Sequence, residues 1–235
     1  MEKVTILIHG FKSQGHDDFA AFVEYAKDKV DHELEMITYY DNNDKKTLKW
    51  RKWKDIIAKE IKKHEGKHIN IVGYSMGSLA GIAAATKNED IKSIYAAFPA
   101  YKIVFFDWIF RLRDNAKKAK EIKKRLGKER YKRMKRLKKS GVSEKHPLRI
   151  VWNMNVFKTY NRKFLKKLKG KNLHITYSIT DEIVHVDKTR KFIDKNLDLK
   201  SNNVTKEQVE LSHYTALYQE NTELYDSMIN FINNN

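Results

Sequence analysis

The sequence predicts an α/β protein in which about six mostly parallel strands are covered by helices on both faces. Short, near-continuous apolar segments alternate with longer segments whose apolar residues recur at helical spacing. Strands that are apolar along their whole length are typical of parallel sheets buried on both faces. The chain has 235 residues, of which 41% are hydrophobic, so it can form one sizeable domain with an insertion.

Four strands and three helices are predicted before residue 101. Val4 to Ile8 are rich in β-forming residues, and Trp50, Trp53 and Ile57 lie on one side of an amphipathic helix. In chain order, the predicted elements are a strand at 4–8, a helix at 17–30, a strand at 34–40, a helix at 47–64, a strand at 68–73, a helix at 76–86 and a strand at 91–97.

The alternation of strands and helices stops at Tyr101 and resumes after Lys171. The segment between them has no clear strand, and it contains a long basic amphipathic pattern over 111–139 and a second helical pattern over 151–168. The later elements are a strand at 173–180, a helix at 186–196, a strand at 204–211 and a helix at 216–232. We therefore predict a discontinuous α/β domain, residues 1–100 and 172–235, and a helical cap insertion, residues 101–171.

The positive charge of the chain is concentrated in the insertion. Residues 101–171 hold 26 of the 48 basic residues and 5 of the 30 acidic residues, a net charge of +21. The remaining residues hold 22 basic and 25 acidic groups, a net charge of −3. This asymmetry indicates a distinct basic module attached to an ordinary, slightly acidic domain.

Composition also excludes several classes of protein. There is no cysteine, so a disulfide framework and a cysteine-based zinc site are both excluded. The sequence has no metal-binding motif, phosphate-binding loop or dinucleotide fingerprint, and we expect no cofactor and no metal. Strand-forming residues begin at Val4 and no long apolar segment is present, which favours a cytoplasmic protein.

The segment Gly73-Tyr74-Ser75-Met76-Gly77 follows one predicted strand and opens the next helix. A serine between two glycines in this setting predicts a nucleophile elbow, a turn so tight that the serine is strained and its oxygen exposed. The helix that follows directs backbone N–H groups and the positive end of its dipole toward the reacting atom. A glycine-rich turn with an ordinary solvent-facing serine is the alternative.

Three further groups follow the ends of other predicted strands. His9-Gly10-Phe11 follows the first strand, Asp181 the fifth and His213 the sixth. Chemistry in such folds belongs at the carboxyl ends of the strands, where these groups would meet Ser75. Because a serine hydroxyl is a weak nucleophile, it needs an imidazole to accept its proton and a carboxylate to orient that imidazole. Glu182 and Asp187 are alternative carboxylates, and Asp181 could instead cap the following helix.

The elbow and the chain order Ser…Asp…His resemble the α/β-hydrolases, and in style the small bacterial serine esterases and lipase-like hydrolases with a helical cap. The resemblance covers most of residues 1–100 and 172–235, without the two additional strands that the family usually has before its His-Gly turn. It implies Ser75 as nucleophile, His213 as general base and acid, and Asp181 as the orienting carboxylate. It also implies an oxyanion hole formed by the backbone N–H groups of Phe11 and Met76.

The resemblance implies a serine hydrolase acting on acyl esters, like a carboxylesterase or lipase, although the same residues can support thioester, amide or carbon–carbon cleavage. The alternative is a non-catalytic binding protein with the same fold. The basic insertion is expected either to cap the active site or to contact anionic membrane lipids at the periphery of a membrane, and a nucleic-acid partner is the least favoured. The residues expected to line the substrate pocket are His9, Tyr74, Phe105, Phe106, Trp108 and His185.

Overall fold

A sheet of six strands, in the order β2-β1-β3-β4-β5-β6, forms the centre of the computed structural model. The structure describes residues 2–11, 15–40, 49–103, 147–217 and 221–235. Every pair of neighbouring strands is parallel, so the predicted fold class is confirmed. The strands are β1 Lys3–Ile8, β2 Glu33–Ile37, β3 His68–Tyr74, β4 Ile91–Ala97, β5 Asn172–Ser178 and β6 Asn203–Val209.

The register of the central strands brings their carboxyl ends to one edge of the sheet. Ile8 at the end of β1 pairs with Gly73 in β3, and Tyr74 pairs with Ala97 at the end of β4. The chain segments that leave these three strands therefore emerge side by side. This is the edge at which parallel α/β sheets carry their functional residues.

Helices cover both faces of the sheet and enclose two apolar clusters. Helices α1 (Gly15–Ala26) and α6 (Thr222–Asn233) pack on one face. The other face is covered by α2 (Trp50–Lys62), α3 (Met76–Ala85), α4 (Pro147–Arg162) and α5 (Val186–Asn196). Within the described ranges, no helix is both long enough and apolar enough to cross a bilayer.

Helix α3 lies directly against the sheet because its residues are small. A side chain at Gly77 would place its Cβ 2.0 Å from the carbonyl oxygen of Ile8, so only glycine permits this approach. A Cβ at Gly81 would lie 2.7 Å from the Ile71 Cγ2. The close contact between α3 and β1 fixes the start of α3, and with it Ser75, beside the end of β1.

The described part of the predicted insertion packs on the main domain through α4. The backbone N–H of Trp50 donates to Asn153 Oδ1 at 3.0 Å, and the ring centroids of Phe157 and Trp53 lie 5.4 Å apart. Instead of the single predicted helix at 151–168, α4 ends at Arg162 and a short 3₁₀ helix, Leu165–Lys167, follows. The predicted basic helix at 111–139 lies outside the described residues.

Several other boundaries differ from the prediction; α1, for example, ends at Ala26 rather than residue 30. Two of these differences have tertiary reasons. Strand β2 ends at Ile37 rather than residue 40, because Tyr39 leaves the sheet and stacks on His9 with ring centroids 4.2 Å apart. Helix α6 begins at Thr222 rather than residue 216. The Asn221 side-chain amide donates to the carbonyl of Ala216 at 2.8 Å, and this contact belongs to a turn rather than a helix.

Candidate active site

Ser75 occupies a strained turn between β3 and α3. Its φ angle is +54°, a left-handed conformation that non-glycine residues rarely adopt and that costs on the order of 1–3 kcal/mol. Two backbone hydrogen bonds hold the turn, one from the Ser75 N–H to the Ala97 carbonyl at 2.8 Å and one from the Ala100 N–H to the Ser75 carbonyl at 3.3 Å. The surrounding fold therefore imposes the conformation expected of a nucleophile elbow.

The glycines on either side of Ser75 are required by close backbone contacts. A Cβ at Gly73 would lie 2.6 Å from the Ser78 Cα, and a Cβ at Gly77 would meet the Ile8 carbonyl. The Ser78 hydroxyl closes the turn, since it lies 2.7 Å from the Gly73 carbonyl oxygen and 2.9 Å from the Ala97 carbonyl oxygen and its single proton can be donated to either. Gly73 and Gly77 are therefore both needed because a larger residue would collide with the backbone.

A hydrogen-bonded chain connects a hydroxyl, an imidazole and a carboxylate from three separate loops. His213 Nε2 lies 2.9 Å from Ser75 Oγ, and His213 Nδ1 lies 2.8 Å from Asp181 Oδ2. Because a carboxylate only accepts hydrogen bonds, Nδ1 carries the proton and Nε2 can accept one from the hydroxyl. The other oxygen of Asp181 accepts the N–H groups of Ile183 at 2.8 Å and Val184 at 2.7 Å, which fixes the carboxylate in place.

The two alternative carboxylates have different surroundings. Glu182 accepts the Ser212 hydroxyl at 2.5 Å and the His213 backbone N–H at 3.0 Å, so it holds the histidine loop rather than the imidazole. The Asp187 side chain is 82% exposed and lies 3.6 Å from Arg190 on the same helix. Of the three, Asp181 is the carboxylate that contacts the imidazole.

The imidazole of His213 is buried and surrounded by acidic and aromatic groups. Burial lowers the pKa of His213, but the neighbouring Asp181, followed by Glu182 and Asp18, favours the protonated form, and the net pKa lies above the ordinary value. The Tyr74 and Phe98 rings lie 5.4 and 6.1 Å from the imidazole, and the Tyr74 hydroxyl donates to the His213 carbonyl. These contacts fix the ring while favouring its charged form.

The loop after β1 is held by a buried histidine and a buried carboxylate. His9 Nδ1 donates to the Gly10 carbonyl at 2.7 Å, and Asp18 Oδ2 accepts the Gly10 N–H at 2.9 Å. Burial lowers the pKa of His9 to about 4, so its ring is neutral near pH 7. Within the described ranges, the N–H groups of Phe11 and Met76, the two predicted oxyanion donors, donate to no protein atom.

The residues predicted to line the substrate pocket lie in different surroundings, and some lie outside the described residues. His9 is fully buried and holds the Gly10 carbonyl, whereas the Tyr74 ring faces His213. His185 precedes α5, and its backbone N–H donates to the Lys102 carbonyl at 2.8 Å. Phe105, Phe106 and Trp108 lie outside the described residues, so their place in a pocket stays a prediction.

Two residues near the site, Asp18 and Phe98, had no predicted role there, and a third, Glu182, was predicted only as an alternative to Asp181. Asp18 lies within a predicted helix, with no sequence signal that its carboxylate meets Gly10. Phe98 follows β4 at a φ of +50° and contacts His213, a strained position that a sequence does not reveal. Among the described residues, no group of three histidine, aspartate or glutamate side chains is placed to hold a metal ion.

The fold agrees with solved α/β-hydrolase structures, so the chain has the α/β-hydrolase fold. A lipase-esterase related protein from Clostridium acetobutylicum is 14% identical and superposes with a TM-score of 0.64 over 97% of this chain and 94% of that one. A metagenome-derived lipolytic enzyme is 15% identical, with a TM-score of 0.63 over 100% and 94% of the two chains. A meta-cleavage product hydrolase from Pseudomonas fluorescens is 13% identical, with a TM-score of 0.63 over 99% and 91%.

The sequence itself matches no protein-family model, and no curated protein matches it. At 13–15% identity the likeness to the solved structures concerns the fold. Function must therefore be argued from the side chains at the carboxyl edge of the sheet.

Proposed function

We propose that this protein is a serine hydrolase that cleaves acyl esters, as a carboxylesterase or lipase-like enzyme does. The observation that carries the proposal is the chain of hydrogen bonds from Ser75 through His213 to Asp181, at 2.9 and 2.8 Å. A serine with an adjacent, oriented imidazole is the arrangement that activates a hydroxyl for attack on a carbonyl. The strained backbone at Ser75 further supports a chemical role over a structural one.

In the proposed reaction, Ser75 Oγ attacks the ester carbonyl carbon while His213 Nε2 takes the hydroxyl proton. The tetrahedral oxyanion accepts hydrogen bonds from the N–H groups of Phe11 and Met76, and the N-terminus of α3 adds its favourable dipole. Collapse of this intermediate breaks the bond to the alcohol, which leaves with the proton from His213. Water then attacks the acyl-enzyme and gives a proton to His213. His213 passes this proton to Ser75 Oγ as the bond to the acyl group breaks, which releases the acid and restores the Ser75 hydroxyl.

The names of structural neighbours support hydrolysis in general. They include a lipase-esterase related protein and lipolytic enzymes, which favour an ester, and a meta-cleavage product hydrolase, whose name points to different chemistry. We therefore propose the ester bond as the substrate class, to be compared directly with the others. Matched p-nitrophenyl ester, thioester and anilide substrates should show the ester cleaved fastest, and faster cleavage of the anilide would overturn the ester assignment.

The first test replaces Ser75 with alanine. Ser75→Ala should lower kcat for p-nitrophenyl butyrate by at least about 10⁴-fold, because the nucleophile and its partner act as a unit. Labelling by a fluorophosphonate probe, which requires an activated serine, should be lost in the same variant. Ser201→Ala, a serine between α5 and β6, is the matched control and should retain both signals.

The results of this experiment also separate the enzyme from a binding protein with the same fold. A wild-type protein that is not labelled and hydrolyses no ester would favour the binding protein. Retained hydrolysis in Ser75→Ala would remove Ser75 from the mechanism. Circular dichroism of each variant shows whether the fold is retained.

We also propose that the basic segment 101–171 contacts anionic membrane lipids at the membrane surface. Its net charge of +21 supports this, and its described part adds an aromatic anchor, since Trp152 on α4 is 71% exposed. Lys163, Lys166 and Lys167 follow on the same segment, exposed and without an ion pair to any described residue. Exposed lysines on the same segment as an exposed tryptophan suit the interface of an anionic bilayer.

A further inference from the structure

A third carboxylate lies beside the candidate active site, and the proposed reaction gives it no role. Asp18, on α1, is only 3% exposed. Carboxylates are rarely buried to this extent unless hydrogen bonds satisfy them. One donor is the Gly10 backbone N–H, which lies 2.9 Å from Asp18 Oδ2.

Gly10 lies between this carboxylate and the nucleophile elbow. A Cβ built on Gly10 would be 3.3 Å from the Ser75 Cβ, 3.1 Å from the Tyr74 Cδ1 and 3.6 Å from Asp18 Oδ2. A single glycine residue therefore separates Asp18 from Ser75. We therefore expect that loss of the hydrogen bond between Asp18 and Gly10 would shift the loop after β1 relative to Ser75 Oγ.

Both backbone groups of Gly10 are fixed by buried side chains. Asp18 holds the N–H, and His9 Nδ1 donates to the carbonyl at 2.7 Å. The His9 ring is itself held, because it stacks on Tyr39 and its Nε2 accepts the Tyr39 N–H at 3.4 Å. In a trans peptide the Phe11 N–H points opposite to the Gly10 carbonyl, so the His9 contact fixes the direction of the Phe11 N–H. The Asp18 contact holds the preceding peptide group, and with it the position of Gly10.

The charge of Asp18 cannot itself assist the formation of an oxyanion. A nearby negative charge opposes the growth of negative charge on the substrate oxygen. Any benefit of Asp18 to the reaction must therefore come from the position it imposes on the loop. A preorganised donor is valuable because it requires no rearrangement when the oxyanion forms.

We propose that Asp18 is a positioning residue, which anchors Gly10 so that the Phe11 N–H is aimed at the oxyanion of the substrate. This inference rests on the proposed function, since it assigns Asp18 a part in the same reaction. It predicts a loss in the stabilisation of the oxyanion when the anchor is removed, with little change in the binding of the ester.

Asp18→Ala tests the anchor. We expect kcat for p-nitrophenyl butyrate to fall about 100-fold with KM within about threefold, as for the loss of one oxyanion donor. The affinity for a trifluoromethyl ketone, which forms an oxyanion adduct with the serine, should fall by a similar factor. Asp18→Asn keeps an oxygen that can accept the Gly10 N–H and should stay within about tenfold of wild type. Asp28→Ala, an exposed carboxylate just after α1, is the matched control.

The inference is overturned if Asp18→Ala keeps kcat within about twofold of wild type, if ketone affinity does not fall with kcat, or if Asp18→Asn is as impaired as alanine. Should the alanine variant fail to fold, Asp18→Ser keeps a polar group too short to replace Oδ2 and should show the same parallel loss. A wild-type protein without esterase activity or fluorophosphonate labelling would instead reject the proposed function itself. The two failures are therefore distinguishable.

Discussion

His213 combines two demands on a single side chain. As a general base its imidazole must be neutral before the reaction, whereas the surrounding carboxylates stabilise the charged form that follows proton transfer. Asp181 contacts the ring directly, whereas Glu182 contacts the backbone N–H of the same residue. The balance between burial and these charges is reflected in the raised pKa of His213.

The raised pKa predicts the acidic limb of the pH profile. Since only the neutral imidazole can act as base, kcat/KM should rise with pH through a midpoint above 6.5, the ordinary pKa of histidine. Glu182→Gln retains an oxygen that can accept the His213 N–H but removes a charge, so the pKa of His213 should fall and the midpoint should move to lower pH. We expect kcat to decrease by no more than about tenfold in this variant, whereas Asp181→Asn should lose about 10⁴-fold.

Stopped assays from pH 5 to pH 9 measure these midpoints. Asp187→Asn, which neutralises an exposed carboxylate on α5, is the control and should leave the midpoint unchanged. A midpoint that stays in place or rises in Glu182→Gln would contradict the electrostatic explanation.

At the scale of elements, the junction of β1, β3 and α3 determines whether the site can form. The start of α3 packs against the end of β1 at Gly77, where a Cβ would lie 2.0 Å from the Ile8 carbonyl oxygen and 2.6 Å from the His9 carbonyl oxygen. Both atoms are backbone and cannot rotate away. An added methyl group must therefore separate α3 from β1.

Gly77→Ala should consequently be strongly destabilising. We expect a loss of about 3 kcal/mol or more in the free energy of unfolding, at the upper end of overpacking effects. Gly81→Ala adds the same methyl group one helical turn later, where it would meet the Ile71 side chain at 2.7 Å. That side chain can adjust, so the loss should be smaller. Urea denaturation of both variants measures the difference, and equal losses would contradict the assignment of the constraint to the β1 backbone.

The same scale shows how far the sequence predicts the structure. Helix α5 and strand β4 have the predicted bounds, because residues close in sequence determine where they end. The elbow could be predicted because its two glycines are required within the turn itself. The early end of β2 depends on Tyr39 stacking on a histidine thirty residues away in sequence. The bond between Asp18 and Gly10 likewise depends on how α1 packs against the sheet, and no pattern of apolar residues specifies it.

At the scale of the whole molecule, charge is segregated. Three carboxylates, Asp18, Asp181 and Glu182, influence His213 inside the domain, whereas the segment 101–171 carries the positive charge. The described part of that segment presents Trp152 and lysines on the outside. Such an arrangement would hold the protein at an anionic surface without placing positive charge among the proposed catalytic residues.

This arrangement predicts salt-dependent binding to anionic vesicles. Wild-type protein should sediment with vesicles containing phosphatidylserine, less so as salt increases, and not with phosphatidylcholine alone. Replacing Lys163, Lys166 and Lys167 together with glutamine should weaken binding about 100-fold, since each lysine near an anionic surface contributes about 1 kcal/mol. A matched control replaces three exposed lysines outside the segment 101–171, Lys27, Lys92 and Lys200, and should bind nearly as wild type. If the two triple variants lose affinity equally, the binding depends on the net charge of the protein and not on the lysines of this segment. If the wild-type protein sediments equally with both kinds of vesicle, the membrane proposal is wrong.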